Sequence, residues 1–344
     1  MKKRWSALVL ATGLLGAATV FAAKAECAAL PLIQMNIAGA AFGPEVLPGQ
    51  LYWNYFFPSV AELEQWRVRH IKVIRFPVLW ERLQPKLNGA FDPTYATLID
   101  TLLKQAATKG MTVILDVHNY GLYRGQVLGS AQVPLTAYQD LFSRIAGRWN
   151  TSKGLHGYDL MNEPHDAADA GWAKAAQAGI NGVRSMDKRR PIYIEGRGWS
   201  SAMVWPELND DLARLKDPAN NLIYSAHLYL DANTSGTYQS GPGANFDTKV
   251  GVNRAKPFVE WLKRHGKQGH IGEFGFPGND PRWDTAATAL FKYLKANCIP
   301  LAYWAAGSVW GDYPLSVEPS NGVDKPQWKT IAPFVNSGGC KLTY

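Results

Sequence analysis

The sequence predicts an α/β fold, a single closed (β/α)8 barrel, from three observations. Eight short β-branched runs recur along the 344-residue chain. Amphipathic segments of helical period separate most of them. The residues that close the runs are polar, as they are where a parallel barrel gathers its strand ends at one mouth. Strand-helix alternation of this kind builds a parallel sheet, and eight repeats in a chain of this length fit a closed barrel better than an open doubly wound sheet.

The chain opens with Lys2, Lys3 and Arg4 ahead of an uncharged, mostly apolar stretch over 8–23 that ends on Ala23-Lys24-Ala25. That is the pattern of a secretory signal peptide, and it is short for an apolar membrane span of about 20 residues. The expectation is cleavage after Ala25: residues 1–25 as a leader, 26–344 as one domain, and a secreted protein, extracellular or periplasmic, with no stable membrane association. Glu26 stands beside Cys27 where a lipid-attachment signal has a small residue, which argues against lipidation.

Removing Lys2, Lys3, Arg4 and Lys24 leaves about +4 of the formal +8. So mild an excess speaks against nucleic acid or another polyanion as partner. Three cysteines, an odd number, allow at most one intramolecular disulfide in an oxidising compartment. Cys298 and Cys340, both near the end of the chain, are the favoured pair, and the spacing carries no metal signature.

The strand candidates are 32–37, 71–76, 111–117, 157–160, 191–194, 222–226, 269–272 and 300–303, and the helix candidates 60–70, 93–109, 135–149, 172–186, 254–265 and 283–297. The fifth helix is the weakest. Long irregular connections at 39–58 and 231–253 follow strands and therefore belong to the functional rim. No linker or low-complexity tract separates a further module. Among the many tryptophans, Trp149 and Trp261 fall on helices and read as packing.

At the predicted mouth the second strand presents Arg75, the third His118 and Asn119, and the fourth Asn162 and Glu163. The fifth presents Glu195, the sixth His227 with Tyr229 just beyond, the seventh Glu273 and the eighth Trp304. Hydrolysis of a glycosidic bond needs a proton for the leaving oxygen and a partner for the oxocarbenium-like centre, which two carboxyls can supply. Glu163 and Glu273 are that pair. Glu195 is the decoy, and Asp116 and Asp159, inside strands, read as members of buried networks.

The ordered set "NIAGAAFG", "HNY", "MNEPHD", "HLYLDANTSGT", "IGEFG" and "AAGSVWGDYPLSVEP" resembles glycoside hydrolase family 5, and within it the endo-β-1,4-glucanase (cellulase) branch. The resemblance runs from the second strand to the eighth. It implies a TIM barrel, a retaining mechanism, Glu163 as general acid/base and Glu273 as nucleophile. The physical reading agrees: Arg75 and the Tyr229 hydroxyl stabilise an ionised Glu273, while burial and a carboxylate neighbour keep Glu163 protonated.

Asn162 is placed for a sugar 2-hydroxyl, and His118 and His227 for substrate hydroxyls and carboxylate orientation. Trp304 is the stacking platform for a pyranose face, which Trp199, Trp53 and Tyr55 extend. No metal and no cofactor is expected, because the mouth has no Cys or His-x-x-x-His cluster. The partner is a β-glucan polysaccharide or cello-oligosaccharide, and the protein is expected to be a monomer. Mannan, mixed-linkage glucan and xyloglucan remain alternative substrates; a carbohydrate-binding protein without activity is disfavoured because both carboxylates, Arg75 and Asn162 are present.

Overall fold

The computed structural model describes residues 31–336. Eight parallel strands close into a barrel: β1 (Ile33–Ile37), β2 (Val73–Val78), β3 (Thr112–Val117), β4 (Leu155–Asp159), β5 (Ile192–Glu195), β6 (Leu222–His227), β7 (Gln268–Phe274) and β8 (Leu301–Ala306). Each pairs with its neighbours in sequence, and β1 pairs with β8 to close the ring. The expected (β/α)8 architecture is therefore the observed one. Strands buried on both faces are mostly apolar, which is why short β-branched runs marked them.

The helices are α1 (Val60–Val68), α2 (Trp80–Leu83), α3 (Pro93–Thr108), α4 (Leu135–Trp149), α5 (Trp172–Met186), α6 (Trp205–Asn209), α7 (Val250–His265), α8 (Pro281–Ala296) and α9 (Trp328–Val335). Their starts follow from local chemistry. Ser59 and Glu62 make a reciprocal capping box on α1, and Asp92 and Asp280 cap α3 and α8 with proline following. Gly266 ends α7 in the left-handed region at φ 59°. The weak fifth crossover is the one-turn α6 followed by a 3-10 turn over Asp210–Arg214. Gly182 lets α5 lie close on α4, since a Cβ there would sit 2.4 Å from the Gln139 carbonyl oxygen.

Sequence reading missed α2, α9 and a two-stranded hairpin, Leu122–Tyr123 with Gln126–Val127. It also placed the second strand two residues early. Pro77 is inside β2, so Arg75 stands in mid-strand, fully buried, rather than at the strand's end. Val73, Ile114, Tyr193 and Ile223 plug the barrel below it, and the larger core fills the layer between strands and helices, with Trp149 and Trp261 buried as expected. Cys298 is disulfide-bonded, while Cys27 and Cys340 lie outside the described residues, as does the expected leader over 1–25. No helix among the described residues is long and apolar enough to cross a membrane.

Candidate active site

Arg75 is the centre of the site. Its Nε donates to Asp159 Oδ2 at 2.8 Å, Nη1 to Glu273 Oε1 at 3.0 Å and Asn36 Oδ1 at 3.1 Å, and Nη2 to Glu195 Oε1 at 2.7 Å and Asn162 Oδ1 at 2.9 Å. Asp116 Oδ2 lies 3.1 Å from Nη2. Burial alone would disfavour the cation, yet the carboxylates of Asp116, Asp159, Glu195 and Glu273 outweigh it and hold the guanidinium firmly charged. Asp116 and Asp159 thus sit in the buried network expected of them. Burial, reinforced by Glu195 and opposed by Arg75, raises the pKa of Asp159.

Glu163 follows β4 in the left-handed region, at φ 44°, a conformation uncommon for a side chain with a Cβ. Its backbone N–H donates to Glu195 Oε2 at 2.6 Å, and its carboxyl Oε1 lies 2.6 Å from His227 Nδ1. His227 Nε2 is 3.0 Å from Glu195 Oε1. Burial works against a charged His227, but Glu195, Glu273 and Glu163 surround it and raise its pKa well above the ordinary value. Burial, aided by Glu273 and opposed by His227, raises that of Glu163. Glu195 is buried too, yet His227 and Arg75 hold its carboxyl below the usual range. The decoy carboxylate therefore has both oxygens committed to Arg75, His227 and the Glu163 main chain. Sequence placed Glu195 at the mouth without showing its partners, which reach it from β2, β6 and the turn after β4.

Glu273 faces this group from β7. Tyr229 donates its hydroxyl to Glu273 Oε2 at 2.7 Å, and burial together with Glu273 keeps that phenol protonated. One carboxylate oxygen of Glu163, one of Glu273 and a ring nitrogen of His227 all lie within 4.8 Å of one another. Three such groups could in principle ligate an ion. Here both His227 nitrogens are engaged with carboxylates, Nδ1 with Glu163 and Nε2 with Glu195. Asn162, almost fully buried, accepts from Arg75 through Oδ1, while its Nδ2 has no protein partner among the described residues.

Aromatic side chains wall the cleft. His118 is anchored by Asp116 Oδ2 at 2.7 Å and lies parallel to half-buried Trp304, with centroids 5.7 Å apart. Tyr120 reaches His118 Nε2 at 3.3 Å. Trp199, 49% exposed, stacks on His165 at 3.5 Å. A hollow of about 370 Å³ is lined by Glu163, Trp199, His227, Tyr229, Asn233 and Arg254. A second, about 730 Å³, is lined by Phe42, Leu79, His118, Tyr120, Trp304 and Trp310.

Two expected platform residues are placed differently. Tyr55 is only 6% exposed, packing edge-on against Phe57 and Tyr95, so it is core. Trp53 is 78% exposed and lines neither hollow. Asn36, Tyr120 and Trp310 were not singled out from the sequence. The first was within reach, since Asn36 opens the "NIAGAAFG" motif and is buried against Arg75.

The model of the Cellulase family (glycosyl hydrolase family 5) matches residues 37–309. Endo-beta-1,4-glucanase B of Emericella nidulans is 32% identical over 290 residues, 83% of this chain and 85% of that protein. The crystal structure of Pseudomonas stutzeri endoglucanase Cel5A in complex with cellobiose superposes with a TM-score of 0.86 at 42% identity, covering 90% of this chain and 93% of that one. XacCel5A in complex with cellopentaose gives 0.83 at 34%, covering 89% and 99%. The family match spans the second to the eighth strand and so the carboxylates gathered around Arg75: the chain belongs to glycosyl hydrolase family 5, the cellulase family, and is a glycoside hydrolase.

Proposed function

We propose that this glycoside hydrolase is a retaining endo-β-1,4-glucanase that cuts internal β-1,4 bonds of cellulose-type glucans through a covalent glycosyl-enzyme. The observation that carries the mechanism is the approach of Glu163 and Glu273, with one oxygen of each within 4.8 Å. Retaining enzymes hold their carboxyls about 5–5.5 Å apart so that one attacks carbon directly, whereas inverting ones leave about 6.5–9.5 Å for a water.

In the first step Glu163, whose pKa burial raises, gives its proton to the leaving oxygen while Glu273 attacks the anomeric carbon. Arg75 and Tyr229 aim the two Glu273 oxygens. In the second step Glu163, now ionised, takes a proton from water, which displaces Glu273 and restores both groups. The unpartnered Asn162 Nδ2 is a buried donor for the sugar 2-hydroxyl, a contact that strengthens in the transition state. His118 is a further hydroxyl partner, and Trp304 is the platform for a pyranose face. Because Glu163 protonates the leaving group, the leaving chain lies in the hollow it shares with Trp199, and the glycone extends along the hollow lined by Trp304.

The similar structures with cellobiose and cellopentaose bound support a gluco-oligosaccharide substrate. The proposal includes export after loss of residues 1–25 and a single catalytic domain over 26–344 acting as a monomer. Reducing-sugar release from carboxymethylcellulose against mannan tests the substrate: comparable or faster release from mannan would overturn the glucan assignment.

A further inference from the structure

Helix α2 is one turn long and directly follows β2, and its two central side chains carry opposite charges that do not pair with each other. Arg82 is buried and makes no ion pair among the described residues. All of its donors go to backbone carbonyls of the loop after β1. Nε reaches Pro48 at 3.0 Å, Nη1 reaches Ala40 at 3.0 Å and Phe42 at 2.5 Å, and Nη2 reaches Gly43 at 2.5 Å and Val46 at 3.3 Å. The face of the guanidinium covers the Tyr55 ring at 4.8 Å.

Glu81 reaches the other way, into the loop after β3. Its Oε1 accepts from the Arg124 backbone N–H and its Oε2 from Asn119 Nδ2, both at 2.6 Å. Asn119 is gripped a second time by the Trp80 backbone N–H, at 2.8 Å. A buried charge is tolerated only when several dipoles replace its water, and charge-assisted hydrogen bonds are the strong ones. Each of these side chains therefore adds buried, charge-assisted anchors to one loop. Both loops line the larger hollow, Phe42 and Leu47 from one, Tyr120 and Arg124 from the other.

We infer that Glu81 and Arg82 act as a back-to-back clamp that sets the width of the glycone arm of the cleft, and with it the enzyme's preference for longer chains and its cleavage register. They are positioning residues: neither needs to touch the reacting atoms, and each acts through the loop it holds. The inference rests on the assignment of the Trp304 hollow to the glycone.

The experiment compares cellohexaose with an aryl β-cellobioside, which places only two sugars on the glycone side, for the wild type, Arg82→Lys and Glu81→Gln. An ammonium has three donors and no fork, so it cannot reproduce five carbonyl contacts. For either variant the kcat/KM loss on cellohexaose is expected to exceed that on the aryl cellobioside by about tenfold, through KM more than kcat, as for lost binding away from the reacting bond. End-labelled cellohexaose should shift toward products with fewer sugars on the glycone side. Equal losses on both substrates with an unchanged product pattern, or a shift toward more glycone sugars, would overturn the clamp. Should Arg82→Lys fail to fold, Glu81→Gln alone decides. A wild type inactive on cellohexaose would instead count against the glucanase reading, so the two failures are distinct.

Discussion

The His227 imidazole stands 2.6 Å from Glu163 and reaches Glu195 on its other side at 3.0 Å. A cation so placed favours ionisation of Glu163, opposing the burial that raises its pKa. Removing it should raise that pKa further. Since the first step needs Glu163 protonated, the basic limb of the pH profile should move upward in His227→Gln, by about one unit for loss of an adjacent charge. The pH dependence of kcat/KM measures this, and an unmoved or downward-shifted limb would refute the electrostatic role.

Glu273→Gln keeps the shape that Arg75 and Tyr229 grip but cannot attack carbon. Turnover is expected to fall by about a thousandfold or more, with cellotetraose binding largely kept, as for loss of a nucleophile. Residual turnover above about a tenth of wild type would rule Glu273 out of that role. Steady-state rates alongside calorimetric titration separate the two quantities.

Arg75→Lys is expected to be far from conservative. Charge alone would let the variant fold normally, but six acceptors converge on the guanidinium and none of it is exposed. Lysine satisfies at most three of them, and breaking a buried charge network typically costs about 3–5 kcal/mol. Both a lower melting temperature and a marked loss of turnover should follow. An unchanged melting curve would show that the network stabilises the site without stabilising the fold.

Stereochemistry tests the two-step mechanism. Proton NMR of early cellotetraose hydrolysis should show the β-anomer before mutarotation, and added methanol should yield methyl β-glycosides by intercepting the glycosyl-enzyme. Initial α-anomer would eliminate covalent attack by Glu273 while leaving the barrel untouched.

Much of this architecture was legible in the sequence, for a physical reason. Parallel strands covered on both faces are short apolar runs, and a barrel brings their polar terminal residues to one place, so Glu163, His227 and Glu273 could be grouped without coordinates. Legibility failed where meaning depends on direction within a loop. Tyr55 lies in an aromatic, glycine-rich stretch that reads alike whether the ring turns to the cleft or, as it does, to Tyr95 and Arg82. Glu195 looked idle for a similar cause: its partners come from two other strands, β2 and β6, and the turn after β4. Arg82 was invisible because backbone carbonyls, its partners, leave no trace in side-chain identity.

The hydrogen bond from the Glu163 main chain to Glu195 bears on what happens during turnover. A carboxyl that releases a proton in one half-reaction and regains it in the next changes charge twice per cycle. In water each change would reorient the surrounding solvent, at a cost that recurs every time. Around Glu163 the responding dipoles belong to side chains locked to Arg75, so the polarisation exists before substrate arrives. The frame stays still while protons move, and the work of reorganisation is done once, when the chain folds.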